Sequence, residues 1–201
     1  MRTAPVGSLE TLLETLDHRR PAVAAHSRRV AVFARHLGDI AGLQGDEMAT
    51  LLQAALVHEA GALVGRLGSA TELPGFQTWC GLSDDVDDVL WYSVRPYNRH
   101  THAPLGARIL AVAHAFDELI TPREYNVPLS ATSARMAIAR EAGRKYCPMA
   151  VNALLMARLE LLTSPSADAD LRIHSDGPVA LDGDRLEGSP FRADYRLVTT
   201  S

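Results

Sequence analysis

Lysine is nearly absent from this 201-residue chain: Lys145 stands alone, and arginine carries the rest of the positive charge. The formal net charge is −4, a mildly acidic balance that gives no electrostatic basis for binding nucleic acid or a membrane surface. Cysteine is scarce too. Cys80 and Cys147 lie far apart, match no metal-binding spacing, and are expected to be free thiols. No apolar run approaches the roughly 20 residues a membrane span needs. The opening MRTAPVGSLETLL lacks the basic start and long apolar core of a secretory signal, so the expected location is cytoplasmic. What remains is an ordinary globular composition, 47% hydrophobic and 22% charged, suited to one domain with a sizeable core.

Helical periodicity dominates the first 160 residues. Ser8 reads as an N-cap ahead of Leu9, Leu12, Leu13 and Leu16, which recur on one helical face. Pro21 opens a second helix through Val23, His26, Val30, Phe33, Leu37 and Ile40, ended by Gly42. Within it His26 falls inside the apolar stripe rather than on the polar face. Asp46 caps a third helix that runs into His58-Glu59, and residues 61–82 read as a Gly-rich loop with room for a short helix. Ser83 and the acidic Asp84, Asp85 and Asp87 start another helix. RPYNRHTHAP (Arg95 to Pro104) is a polar loop, Leu105 to Ile120 a strongly apolar helix, and two more helices are expected over Ala134 to Ala142 and from Pro148. Residues 164–170 read as a linker. In residues 171–201, Asp176-Gly177 and Asp182-Gly183 are turn signals between short apolar runs, so two to four short strands are expected. So small an appendage would pack on the helices or on a second copy of the chain, which makes a homodimer one expected state.

Chemistry gathers at His58-Glu59, two ionisable residues inside AALVHEAGALVG (Ala54 to Gly65). Burial of such groups costs several kcal/mol unless something pairs with them. The ordinary explanation is a helix end, with His58 near the last carbonyls and Glu59 in water. Two further histidines weigh against it. His26 and His114 also sit at inward or terminal helix positions, so the chain carries His26, His58, Glu59 and His114 in the order H … HE … H.

In that order the sequence resembles the HD superfamily of metal-dependent phosphohydrolases, and within it the HD-GYP branch that hydrolyses cyclic dinucleotides. HSRRVAVFARHLG (His26 to Gly38) is similar to the family's first ligand helix, and AALVHEAGALVG to its AALLHDIGKIG. GARILAVAHAFDELITPREY (Gly106 to Tyr125) is similar to its ARILAVADVFDALTSDRPY, and GRKYCPMAVNALL (Gly143 to Leu155) to its closing helix. The resemblance implies an all-α HD-domain bundle of six to eight helices over residues 1–163, followed by the linker and the β-rich tail.

Four departures bear on function. Glu59 stands for the family's Asp, Ala62 for its motif lysine, and His114 for its last metal-binding Asp. The His-His-Glu and Gly-Tyr-Pro stretches are missing between Trp79 and Leu105. These losses argue against cyclic di-GMP as substrate. Yet both altered ligand positions hold another ligand-capable residue, whereas only about a fifth of random replacements would be His, Asp, Glu or Cys. The resemblance therefore implies a chemically altered metal site formed by His26, His58, Glu59 and His114, against the alternative of a metal-free relic. Three imidazoles and one carboxylate suit a transition metal (Zn, Fe, Mn or Ni) better than Mg²⁺.

Further candidates surround that set. His100 and His102 are an acid–base pair or extra ligands, or else two solvated loop histidines. Asp117 either orients a ligating histidine or pairs structurally with Arg123. Arg123 and Tyr125 match the family's "R-Y" turn, which makes Arg123 a candidate phosphate or carboxylate contact. Arg28 and Arg29 read as surface ion pairs, with one a candidate for the cleft. The expected function is a divergent metal-dependent hydrolase of phosphohydrolase type, acting on a small, phosphorylated molecule. The alternatives are an inactive ligand-sensing or protein-interaction module, and an oxidative or biosynthetic metalloenzyme on the same fold, such as the di-iron myo-inositol oxygenases.

Overall fold

A computed structural model of the chain describes residues 9–60, 82–122 and 127–159. Three quarters of these residues are helical and none forms a strand, so the described chain is all-α. Its seven helices are α1 (Leu9–Arg19), α2 (Pro21–Ala41), α3 (Gly45–Val57), α4 (Asp84–Ser93), α5 (Leu105–Ile120), α6 (Ala131–Ala139) and α7 (Pro148–Met156). The loop expected over residues 61–82, except Leu82, lies outside the described residues. So do Arg123, Tyr125, the linker at 164–170 and the strands expected in 171–201. Among the described residues no helix is long and apolar enough to cross a membrane.

Local chemistry sets most helix ends. Pro21 occupies the first turn of α2, where its missing N–H costs nothing. Gly42 closes that helix at φ 86°, in the left-handed region, and the N–H groups of Gly42 and Leu43 satisfy the carbonyls of Asp39 and Gly38. Ser83 caps α4 by accepting from the Val86 N–H at 3.4 Å. Two starts differ from the sequence reading. Gly45 begins α3 with Gln44 at the cap, so Asp46 lies in the first turn, where its charge still favours the helix dipole. Ser130 caps α6 three residues earlier than the apolar spacing indicates, by accepting from the Ser133 N–H.

The centre of the bundle is α2 against α5. Helix α2 also packs on α1, α3 and α7, while α5 also packs on α3, α4, α6 and α7. Phe33 and Phe116 meet edge-to-face across the central contact, with ring centroids 5.4 Å apart. Leu37, Leu51, Leu56, Leu90, Ile109 and Leu154 are fully buried around it. This core fixes the two helices that carry His26 and His114, and it holds the end of α3 against them.

Candidate metal centre

His26 comes from α2, His114 from α5, and His58-Glu59 from the turn immediately after α3. The three imidazoles form a nearly equilateral triangle, with ring centroids 5.1, 5.2 and 5.1 Å apart. His26 and His58 are buried, whereas Glu59 and His114 are half-buried. One ligand atom from each of the four residues lies within 4.8 Å of every other, so the group could hold a metal ion.

The tautomers of two rings follow from their partners. The Nδ1–H of His58 donates to the Ala55 carbonyl at 2.7 Å, and the Nδ1–H of His26 donates to Asp117 Oδ2 at 2.6 Å. Burial, reinforced by the neighbouring His114 and His26, pushes the His58 imidazole down to about 3, so it is neutral at physiological pH. The neutral His58 ring then presents its Nε2 lone pair, and His26, whose Nδ1 is engaged by Asp117, faces it with its own Nε2 at 3.2 Å. Two lone pairs at that distance would repel, so a proton or a metal cation must lie between or beside them. Two nitrogens on one tetrahedral ion would be about 3.3 Å apart, given metal–nitrogen bonds near 2.0–2.1 Å. His114 Nε2 lies 3.8 Å from Glu59 Oε1, which completes a donor set of three imidazoles and one carboxylate. A proton alone would satisfy one histidine pair. The third imidazole and the carboxylate fit a metal.

Asp117 is fully buried beneath this group and does not face solvent. Besides His26 it accepts from Arg29, at 2.7 Å from Nε and 3.1 Å from the terminal nitrogen. Burial alone would raise its carboxyl. The hydrogen bonds from His26 and Arg29 outweigh that and hold it at about 2. A permanently ionised carboxylate behind Nδ1 fixes the His26 ring, so Asp117 acts on the site through His26. Among the described residues its arginine partner is Arg29; Arg123, the partner weighed from the sequence, lies outside them. Arg28 does form a surface ion pair, with Asp17, while Arg29 turns inward.

His58, Glu59 and His114 open onto a cleft of about 640 Å³, within the range of small-molecule sites. Arg95, Arg99, Arg144 and Lys145 also line it. His100 and His102 belong to the same loop but pack with the aromatic rings of α4. His102 Nε2 lies 3.1 Å from the Tyr92 hydroxyl, and the His100 ring stands edge-on to Trp91 at 5.7 Å. Partial desolvation, and then the neighbouring Arg95, hold the His100 imidazole below its ordinary range.

Arg29, three residues after His26 and hence on nearly the same helical face, is the one of the two arginines that turns inward. Two features escaped the sequence reading. Glu118, one turn after His114, lines the cleft with its carboxylate 3.9 Å from His114 Nδ1. The basic lining is assembled from loops some fifty residues apart, and no local pattern announces it. No family model matches this chain and no curated protein matches it, so the reading of the site rests on its own geometry.

Proposed function

We propose that this chain is a divergent member of the HD superfamily and a metal-dependent hydrolase of a small, phosphorylated substrate other than cyclic di-GMP. The observation that carries the reading is the pair of tautomer-fixed Nε2 atoms facing each other at 3.2 Å beside His114 and Glu59. His26, His58, Glu59 and His114 hold the metal. Three imidazoles favour Zn²⁺, Fe²⁺, Mn²⁺ or Ni²⁺ over Mg²⁺. Such an ion supplies Lewis acidity and a nucleophile at neutral pH. Asp117 keeps His26 in the ligating tautomer, and Arg29 keeps Asp117 ionised. The cleft lets a substrate reach the Glu59–His114 side of the cluster, and its arginines favour an anionic one.

Metal analysis of the purified chain tests this, paired with hydrolysis assays on a panel of phosphate esters. The expected result is one transition-metal ion per chain, lost in His58→Ala and weakened in Glu59→Gln. Absence of a stoichiometric transition metal would remove the reading. Iron accompanied by oxygen consumption, with no ester hydrolysed, would replace it with the oxidative alternative.

A further inference from the structure

In a chain of net charge −4, positive charge gathers in the lining of the cleft, and the chain's single lysine is there. Four cations line it, and their local partners differ. The Arg95 guanidinium lies 3.1 Å over the Trp91 ring, and Arg144 pairs with Glu141. Arg99 and Lys145 have no carboxylate partner among the described residues, although both side chains line the cleft. Their loops are locked together. The Tyr97 N–H donates to the Lys145 carbonyl and the Asn98 N–H to the Arg144 carbonyl, each at 3.0 Å. Gly143, at φ 80°, lets the second loop make the turn that presents those carbonyls. Beneath the first loop, the buried Arg108 donates to the backbone carbonyls of Arg95 and His100. Lys145 Nζ lies 5.1 Å from the Tyr146 ring centroid, and Glu59 and Glu118 line the same cleft. Two cations without a carboxylate partner on a braced platform, in the cleft that the histidines share, are preorganised for an anion.

We propose that Arg99 and Lys145 form a second anion subsite, so that the ligand of this cleft carries two anionic groups. One group meets the His58–Glu59–His114 side, and the other, a phosphate or a carboxylate, is anchored by Arg99 and Lys145. The assignment of the first group rests on the metal-centre reading; the second subsite stands on its own residues and works without the metal. Selectivity follows from the geometry: a monoanion fills one end of the cleft, while a molecule with two separated charges spans it.

The test is calorimetric titration of the full chain, as purified and after chelation, with inorganic phosphate in one arm and succinate in the other. Phosphate is expected to bind the chelated protein, and to bind about tenfold more weakly in Arg99→Ala and again in Lys145→Ala. The paired Arg99→Lys and Lys145→Arg exchanges keep the charge and should restore most of the affinity. Both side chains are exposed, so thermal unfolding should be unchanged in all four variants. Succinate binding with the same dependence would assign a carboxylate-tolerant subsite, and phosphate binding alone a phosphate-selective one. If the chelated wild type binds neither anion, or if binding ignores Arg99 and Lys145, the subsite is overturned. Anion binding that disappears only on chelation would overturn the subsite and leave the metal centre standing. Arg99- and Lys145-dependent binding in a chain that never takes up a metal would do the reverse.

Discussion

The molecule holds two groups of histidines, and they are built on different principles. His26, His58 and His114 come from three separate elements, converge behind the core, and at least two of them are oriented by hydrogen bonds at Nδ1. His100 and His102 come from one loop, and their ring centroids are 6.3 Å apart. Aromatic edges are their chief neighbours there: the Tyr92 centroid is 5.9 Å from His100 and 5.5 Å from His102. In the first group, His26 and His58 are fixed from behind at Nδ1 and turn Nε2 toward each other. The second has packing, and among the described residues no carboxylate pairs with it. Ligand competence here depends on what stands behind the ring, not on the ring.

The sharpest way to break that contrast is to remove what stands behind His26. Asp117→Ala leaves Arg29 and His26 without their shared carboxylate, and breaking such a buried pair costs about 3–5 kcal/mol. The partial exposure of Arg29 places the expectation near the lower bound. Denaturant unfolding measures it. Metal affinity should fall about 10- to 100-fold in the same variant.

Acid should separate the two groups next. His58 has its pKa lowered from 6.5 to about 3, so the unfolded chain binds the extra proton first as pH falls. Stability of the metal-free protein should therefore drop by about 1.4 kcal/mol per pH unit below 6.5, or about 2 kcal/mol by pH 5. Asp117, lowered from 3.8 to about 2, contributes stability that is fully present above about pH 4 and lost as pH falls through about 2. Urea midpoints at pH 7, 5, 3.5 and 2 would trace both phases. His58→Asn should flatten the upper one, and an unaltered slope in that variant would count against a buried neutral His58.

Arg108→Met probes the brace under the second group. It withdraws the donors reaching the Arg95 and His100 carbonyls, at a cost of about 1–3 kcal/mol, with metal content unchanged. The smallest effect is expected from His100→Ala combined with His102→Ala. Stability should move by no more than about 1 kcal/mol and metal content not at all. Loss of the metal in that double variant would erase the distinction between the two groups.

Much of this contrast is legible from residue type and spacing. The apolar stripe of α2 puts His26 indoors, and His58-Glu59 stands out because its neighbours are Ala, Val and Leu. Gly42, Ser83 and Pro148 mark helix ends because backbone conformation and capping are local properties. What could not be read is what long-range approach creates. Asp117 finds Arg29 from 88 residues away, and the basic lining exists only because the loop at Tyr97 hydrogen-bonds the loop at Lys145. No period in the sequence encodes such a meeting. It is decided by how α2 and α5 cross and by how the connecting loops fall afterwards.

Helix α5 joins all of these parts on a single rod. Arg108 under the loop, His114 in the cluster, Asp117 behind His26 and Glu118 in the cleft lie within eleven consecutive residues, spanning about 15 Å of axis. The rod therefore acts as a phase reference for the whole site. One residue inserted between Arg108 and His114 would rotate one end against the other by about 100°. No compensating shift of either loop could restore both ends at once. Point substitutions along α5 are open to the chain, but changes in its length are not: the site can alter its chemistry residue by residue, and only while the count between its parts is kept.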